Sequence, residues 1–219
     1  MSPELIIMLT NNDITVKNAA EIFEGCKDLP AKKWGFKDVG LPKEEMIALA
    51  KKMKEAGKET FIEVVTYTEE GCLEGAKLAY ECGFDHLTGT LPFDSVFRYA
   101  KEHGLQYSPF CGNVGGSPVE LTGSLEEIVQ SAKDCIGKGA AGIDLTSYRY
   151  RDGDPVELTK AVVDAVGADK VCIAGSIGEY AEDGRHERSR GSRNTPWEVL
   201  SLMVTLWRAE PSGRTWNMS

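Results

Sequence analysis

From residue 4 onward, short runs of apolar and β-branched residues alternate with stretches in which apolar positions recur every three or four residues. The runs predict buried strands at 4–10, 33–37, 60–66, 85–89, 106–110, 141–146 and 170–175. The stretches between them predict helices at about 15–28, 42–56, 68–82, 93–103, 124–138 and 155–166. The helix at 42–56 carries its own punctuation. Pro42 lies in its first turn, Glu44 and Glu45 come early, Lys51, Lys52 and Lys54 come late, and Gly57 follows. Ser124 and Glu127 have the spacing of a capping box at the start of the fifth helix.

Strand followed by helix, seven times over, is the pattern of parallel βα units. With about 25 residues per unit and no sign of sheet reversal, the expected fold is α/β, a TIM (β/α)8 barrel. A doubly wound open sheet is the alternative, but its Gly-rich turn after the first strand is replaced here by Thr10-Asn11-Asn12-Asp13.

Composition narrows the function classes. A chain of 219 residues with 42% hydrophobic content supports one large core. A net charge of −9 with no basic stripe argues against nucleic acid and against an anionic membrane surface. The partners expected on this ground are small molecules or other subunits, such as a second copy of the chain in a homodimer. Six cysteines, spread singly and mostly within apolar stretches, suit a reduced, cytoplasmic protein. No apolar run reaches the length of a membrane span.

In a barrel of this kind chemistry sits at the carboxyl ends of the strands. Lys37 ends the second strand, where a confined lysine can hold an anion, protonate an enolate or form a Schiff base; pairing with Asp38 at a solvated rim is the structural alternative. Asp38 itself is a candidate acid or a helix-capping residue. Glu63, flanked by Ile62 and Val64, needs a partner for its buried charge, and Lys37 on the neighbouring strand is the natural one. Asp144, between Ile143 and Leu145, carries the same requirement. Asn11, Thr90, Asn113 and Arg149 complete the polar set at strand ends as catalytic or substrate-binding candidates. His86, early in its strand, is read as part of the wall. No metal-binding spacing occurs and no cofactor is expected, a divalent ion between Glu63 and Asp144 being the lesser alternative. The stretch Gly112–Gly116 is read as an anion nest, a mobile lid or a long flexible loop.

The seventh strand runs into Gly175-Ser176-Ile177-Gly178, a turn whose backbone N–H groups and hydroxyl suit a phosphate. Val171-Cys-Ile-Ala-Gly-Ser-Ile177 resembles the seventh-strand turn of the ribulose-phosphate-binding barrel superfamily. The resemblance covers about residues 4–181 as architecture. It implies one half of a phosphate site at 175–178, and acid/base residues at Asn11 or Asp13, Lys37, Glu63 and Asp144. The activity it implies is proton-transfer isomerisation or epimerisation next to a carbonyl. The alternatives are a Schiff-base or decarboxylating lyase, and a non-catalytic ligand-sensing barrel.

The pattern changes after residue 181. Residues 1–181 hold sixteen Lys and three Arg, whereas 182–219 hold six Arg, no Lys and three of the four Trp. An eighth βα unit is therefore expected to be missing or aberrant, with 1–181 forming barrel units one to seven and 182–219 an atypical tail. Rebuilding codons one base out of phase over 195–219 permits a reading of Thr-Met-Gly-Ser, a short apolar run and a glycine-containing segment, taken as the missing eighth strand, its Gly-Ser turn and the start of an eighth helix. One base lost near codons 178–190 would produce this tail. Weak phosphate affinity and low activity are the expected consequence.

Overall fold

The computed structural model describes residues 4–174 and the backbone of 201–206. Each predicted strand overlaps an observed one: β1 (Glu4–Met8), β4 (Lys33–Lys37), β5 (Glu59–Val64), β6 (His86–Gly89), β7 (Gln106–Ser108), β10 (Ile143–Leu145) and β11 (Val171–Ile173). The six predicted helices are present as α1 (Ala19–Cys26), α2 (Lys43–Glu55), α3 (Glu69–Glu81), α4 (Asp94–His103), α5 (Leu125–Gly137) and α6 (Pro155–Val166). The capping box of α5 forms in both directions: the Glu127 N–H donates to Ser124 Oγ at 3.2 Å, and the Ser124 N–H donates to Glu127 Oε2 at 2.8 Å. Asp154 caps α6 by accepting from Val156 and Glu157. None of the described helices is long and apolar enough to cross a membrane.

The strands form one mixed sheet in the order β10-β11-β12-β1-β4-β5-β6-β7. Neighbours are parallel except around β12 (Ser201–Leu206), which runs antiparallel to both β1 and β11. A regular eighth βα unit would place a parallel strand in this gap, where β12 is antiparallel. The two outer strands are themselves linked: the Ala141 N–H donates to the Tyr107 carbonyl at 2.8 Å, and the Asp144 N–H to that of Pro109 at 2.9 Å.

Two features were not read from the periodicity. The predicted first strand stops at Met8, and β2 (Thr10–Asn11) and β3 (Ile14–Thr15) form a small antiparallel hairpin. Its central residues, Asn12 and Asp13, have φ of 50° and 63°. Asn and Asp tolerate this left-handed region, and a two-residue turn with both φ positive matches the twist of the strands it joins. The Gly-rich stretch after β7 is likewise a hairpin, of β8 (Asn113–Gly115) and β9 (Glu120–Thr122), in place of a long irregular loop.

Alternation along each strand sorts the side chains into two layers. Ile7, Leu9, Trp34, Phe36, Ile62, Val64 and Leu87 pack outward with residues of the helices. Ile143, Leu145, Val171 and Ile173 do the same beside α5 and α6. The opposite face holds a much smaller apolar group, Ile6, Met8, Phe61, Cys172 and Ala174. Lys33, Lys37, Glu63 and Asp144 alternate onto that inner face and are all buried. Hydrophobic stabilisation therefore comes chiefly from the contact between sheet and helices, and the inner face is left for polar groups.

Gly35 shows how tightly that inner face is built. A Cβ there would lie 2.5 Å from the Phe61 carbonyl oxygen and 2.8 Å from Met8 Sδ. The carbonyl belongs to the β4–β5 ladder and has no freedom to retreat. Gly35→Ala is expected to destabilise the protein by about 2 kcal/mol or more, measured as a lower urea midpoint with an unchanged m-value.

Candidate active site at the carboxyl ends of the strands

Parallel register sets Lys37 of β4 opposite Glu63 of β5, and Glu63 opposite Thr88 of β6. Lys37 is 5% exposed and Glu63 7%, and Lys37 Nζ lies 3.3 Å from Glu63 Oε2. On its other side the same ammonium lies 3.0 Å from Asp13 Oδ1. The β2–β3 hairpin delivers Asp13, and its base is fastened to the site by Thr15. That hydroxyl accepts from the Lys37 N–H at 2.9 Å and donates to the Lys37 carbonyl at 2.7 Å.

Arg149 arrives from the far part of the chain, at the end of a short 3-10 turn, Ser147–Arg149. Its guanidinium forks onto Asp13, with one nitrogen 2.9 Å from Oδ2 and the other 2.9 Å from Oδ1. The result is an alternating chain of charge, Arg149–Asp13–Lys37–Glu63. The β8–β9 hairpin leans on it from outside: the Tyr67 hydroxyl donates to the Gly116 carbonyl at 2.7 Å, and Arg149 reaches the Val119 carbonyl at 3.4 Å. The hairpin is thus tied to site residues through the carbonyls of Gly116 and Val119.

Electrostatics separates the carboxyl groups. For Lys37, burial works against the charged form, but Glu63 and Asp13 outweigh it and raise the pKa, so the ammonium is held protonated. For Asp13, burial opposes ionisation, yet the Arg149 and Lys37 contacts hold its pKa below the usual value. Asp144 is the opposite case. It is 1% exposed, and burial together with the nearby Glu63 charge lifts its pKa well above the ordinary range, with Lys37 offsetting only part of this. Neither Asp144 oxygen has a hydrogen-bond partner among the described residues, and the same holds for the hydroxyls of Thr146 and Ser147. Asp38, one position beyond Lys37 and so turned to the other side of the sheet, lines a groove with Lys43, Thr66 and Glu74, and its pKa is pushed up to about 6, first by burial and then by Glu63.

Lys37, Glu63, Asp144 and Arg149 therefore meet, with Asp38 attached through its N–H to the Glu63 carbonyl at 3.2 Å. Three other candidates have different employment. Asn11 is an exposed hairpin residue whose backbone pairs with Ile14, and its near neighbour Asp13 reaches the site. The Thr90 hydroxyl is buried 2.7 Å from the Tyr107 hydroxyl, between the sheet and the helices, so it is not available to a substrate. Asn113 is exposed and donates to Thr122 Oγ1 across the β8–β9 hairpin. The phosphate turn Gly175, Ser176, Ile177 and Gly178 lies outside the described residues. His86 belongs to the opposite end of its strand, stacked on Phe61 at 4.1 Å with Nε2 2.5 Å from Glu59. Among the described residues, no cluster of three or more His, Cys, Asp or Glu has metal-holding geometry.

Tyr67 and Thr15 were not among the candidates. Tyr67 follows the third predicted strand directly, so the strand-end rule reaches it. Thr15 required recognition of Asn12-Asp13 as a hairpin turn.

No family model matches this chain, and no curated protein matches it. Among solved structures, one described as "Native KDPGal structure" is 13% identical, with 77% of this chain and 68% of that chain covered at a TM-score of 0.48. The orotidine 5'-phosphate decarboxylase of Lactobacillus acidophilus is 14% identical, covering 68% and 73% at 0.45. An L-ribulose 3-epimerase is 12% identical, covering 68% and 62%, also at 0.45. The likeness is distant.

Two outcomes follow from the charge chain. Lys37→Met leaves Glu63 and Asp13 without their shared cation, and about 3–5 kcal/mol of stability should be lost at pH 7. The loss should shrink toward pH 4 as the carboxylates protonate, read from urea unfolding at both values. Asp38 has a folded pKa raised to about 6. Its contribution is therefore fully present below its unfolded pKa of about 4 and is lost as pH rises through 6. Between pH 4 and pH 7, Asp38→Asn should gain ~2 kcal/mol relative to the parent, seen as a flatter pH dependence of its thermal midpoint.

Proposed function

We propose that this protein transfers a proton at a carbon next to a carbonyl group, isomerising or epimerising a small phosphorylated, sugar-like metabolite. One observation carries the reading: a fully buried Asp144 carboxyl, unpartnered among the described residues, beside the Lys37–Glu63 ion pair, where burial and the Glu63 charge favour its protonated form. Burying such a group without a partner is unfavourable. A carboxylic acid kept neutral is, however, a proton donor ready to act, and pairs of carboxyl groups with separated pKa values divide the acid and base roles.

Glu63 takes the proton from the carbon, and the electron pair moves into the carbonyl. The Lys37 ammonium stabilises the oxygen as negative charge develops on it. Asp144 then gives its proton to the carbon, and the substrate's own proton on Glu63 balances the exchange. The phosphate end of the substrate rests on the sequence of Gly175–Gly178 alone. A Schiff-base lyase is less favoured, because an amine must shed its proton to attack a carbonyl, and the charges around Lys37 raise its pKa.

The reading is tested by incubating the protein with aldose and ketose phosphates in heavy water and following the α-proton by NMR. Deuterium should enter at the carbon next to the carbonyl of at least one substrate. Asp144→Asn should slow that exchange by about 100-fold or more while leaving the thermal midpoint at neutral pH equal to or above the parent's. Binding of a sugar phosphate with no exchange would instead identify a ligand-sensing barrel, and trapping by borohydride would identify the lyase.

A further inference from the structure

Asp13 does more than neutralise its neighbours. Lys37 and Arg149 converge on both of its oxygens, at 3.0 Å and twice at 2.9 Å, in the planar forked arrangement that suits a carboxylate. The carboxylate they grip comes from the tip of a hairpin whose strands are two residues each, and its side chain is 35% exposed. The neighbouring Ile14 is 51% exposed, and Thr15 fastens only the base of the hairpin. Lys37 keeps Glu63 as a partner if Asp13 leaves.

Charge balance also bears on what can enter. Among the described residues, Lys37 and Arg149 face the carboxylates of Asp13 and Glu63, and burial with the Glu63 charge disfavours ionisation of Asp144. An anionic group added beside Lys37 would face two carboxylates already present, at an energetic cost in this buried setting. The same group taking the place of Asp13 leaves the balance unchanged. A second observation points to a ligand here. Asp144, Thr146 and Ser147, at the end of the strand and in the turn that carries Arg149, are 1%, 3% and 0% exposed, yet none of their side-chain oxygens has a partner among the described residues.

We propose that Lys37 and Arg149 form a carboxylate-binding subsite, that Asp13 is its internal occupant, and that the substrate carries a carboxylate which displaces it. This rests on the proton-transfer reading and narrows it, from a sugar to a sugar acid. The subsite selects for the acid, because a neutral sugar has nothing with which to replace Asp13.

Acetate serves as the probe, with inorganic phosphate as the comparison. Calorimetric titration of acetate should show at least tenfold tighter binding to Asp13→Ala than to the parent, and acetate should raise the thermal midpoint of that variant selectively. Asp13→Asn, which keeps the size of the side chain and removes its charge, should fall between the two and guards against loss of the hairpin in the alanine variant. Adding Arg149→Gln to Asp13→Ala should abolish the gain. Equal acetate affinity in parent and both Asp13 variants, an undiminished gain without Arg149, or phosphate binding as tightly as acetate would overturn the proposal. The two readings fail separately. Acetate binding is independent of turnover, whereas deuterium exchange confined to neutral sugars would remove the carboxylate subsite and leave the proton transfer standing.

Discussion

An ammonium group buried in the inner face of a sheet must be answered by carboxylates, and much of the local architecture serves that requirement. Lys37 finds one answer across the ladder in Glu63 and another in Asp13, which a two-residue turn brings over the strand ends. Asp13 in turn needs Arg149, because a carboxylate that serves one cation can serve two at little extra desolvation. The turn that carries Arg149 is placed by β10, and the β8–β9 hairpin rests on Arg149 and Tyr67. Removing the lysine would leave these pieces organised around an uncompensated negative charge.

The inner face exchanges stability for chemistry. Five apolar residues form its cluster, whereas the outward faces of the same strands carry the main cores. A well-packed apolar group at position 144 would be easier to bury than a carboxyl whose oxygens meet no described partner. The arrangement is understandable if the group is there to donate a proton. Its neutral state then arises from the same burial that makes it unfavourable, reinforced by the nearby Glu63 charge.

Much of this was legible in the sequence, and the limits of legibility have physical causes. Apolar runs and helical spacing are local, so the strands and helices emerged in their right order, and alternation around Ile62-Glu63-Val64 and Ile143-Asp144-Leu145 marked both carboxyls as buried and in need of an explanation. Adjacent strands in a parallel sheet hold like positions side by side, which made Lys37 and Glu63 a foreseeable pair. Thr90 misled because strand ends carry two kinds of polar residue. One kind faces the open end, and the other satisfies a buried hydroxyl such as that of Tyr107. Asn11 misled by two positions, since the hairpin turn sends Asp13 inward.

By itself, the sequence determined the α/β order of the chain and the need for a buried polar site near Lys37. These depend on periodicity, which contiguous residues carry. Only the tertiary structure decided that Asp13 is gripped by an arginine 136 positions away, that burial and the Glu63 charge raise the pKa of Asp144, and that an antiparallel strand fills the gap beside β1. Those outcomes depend on distances between charges and on which chain ends meet, and no local pattern encodes a distance across the fold.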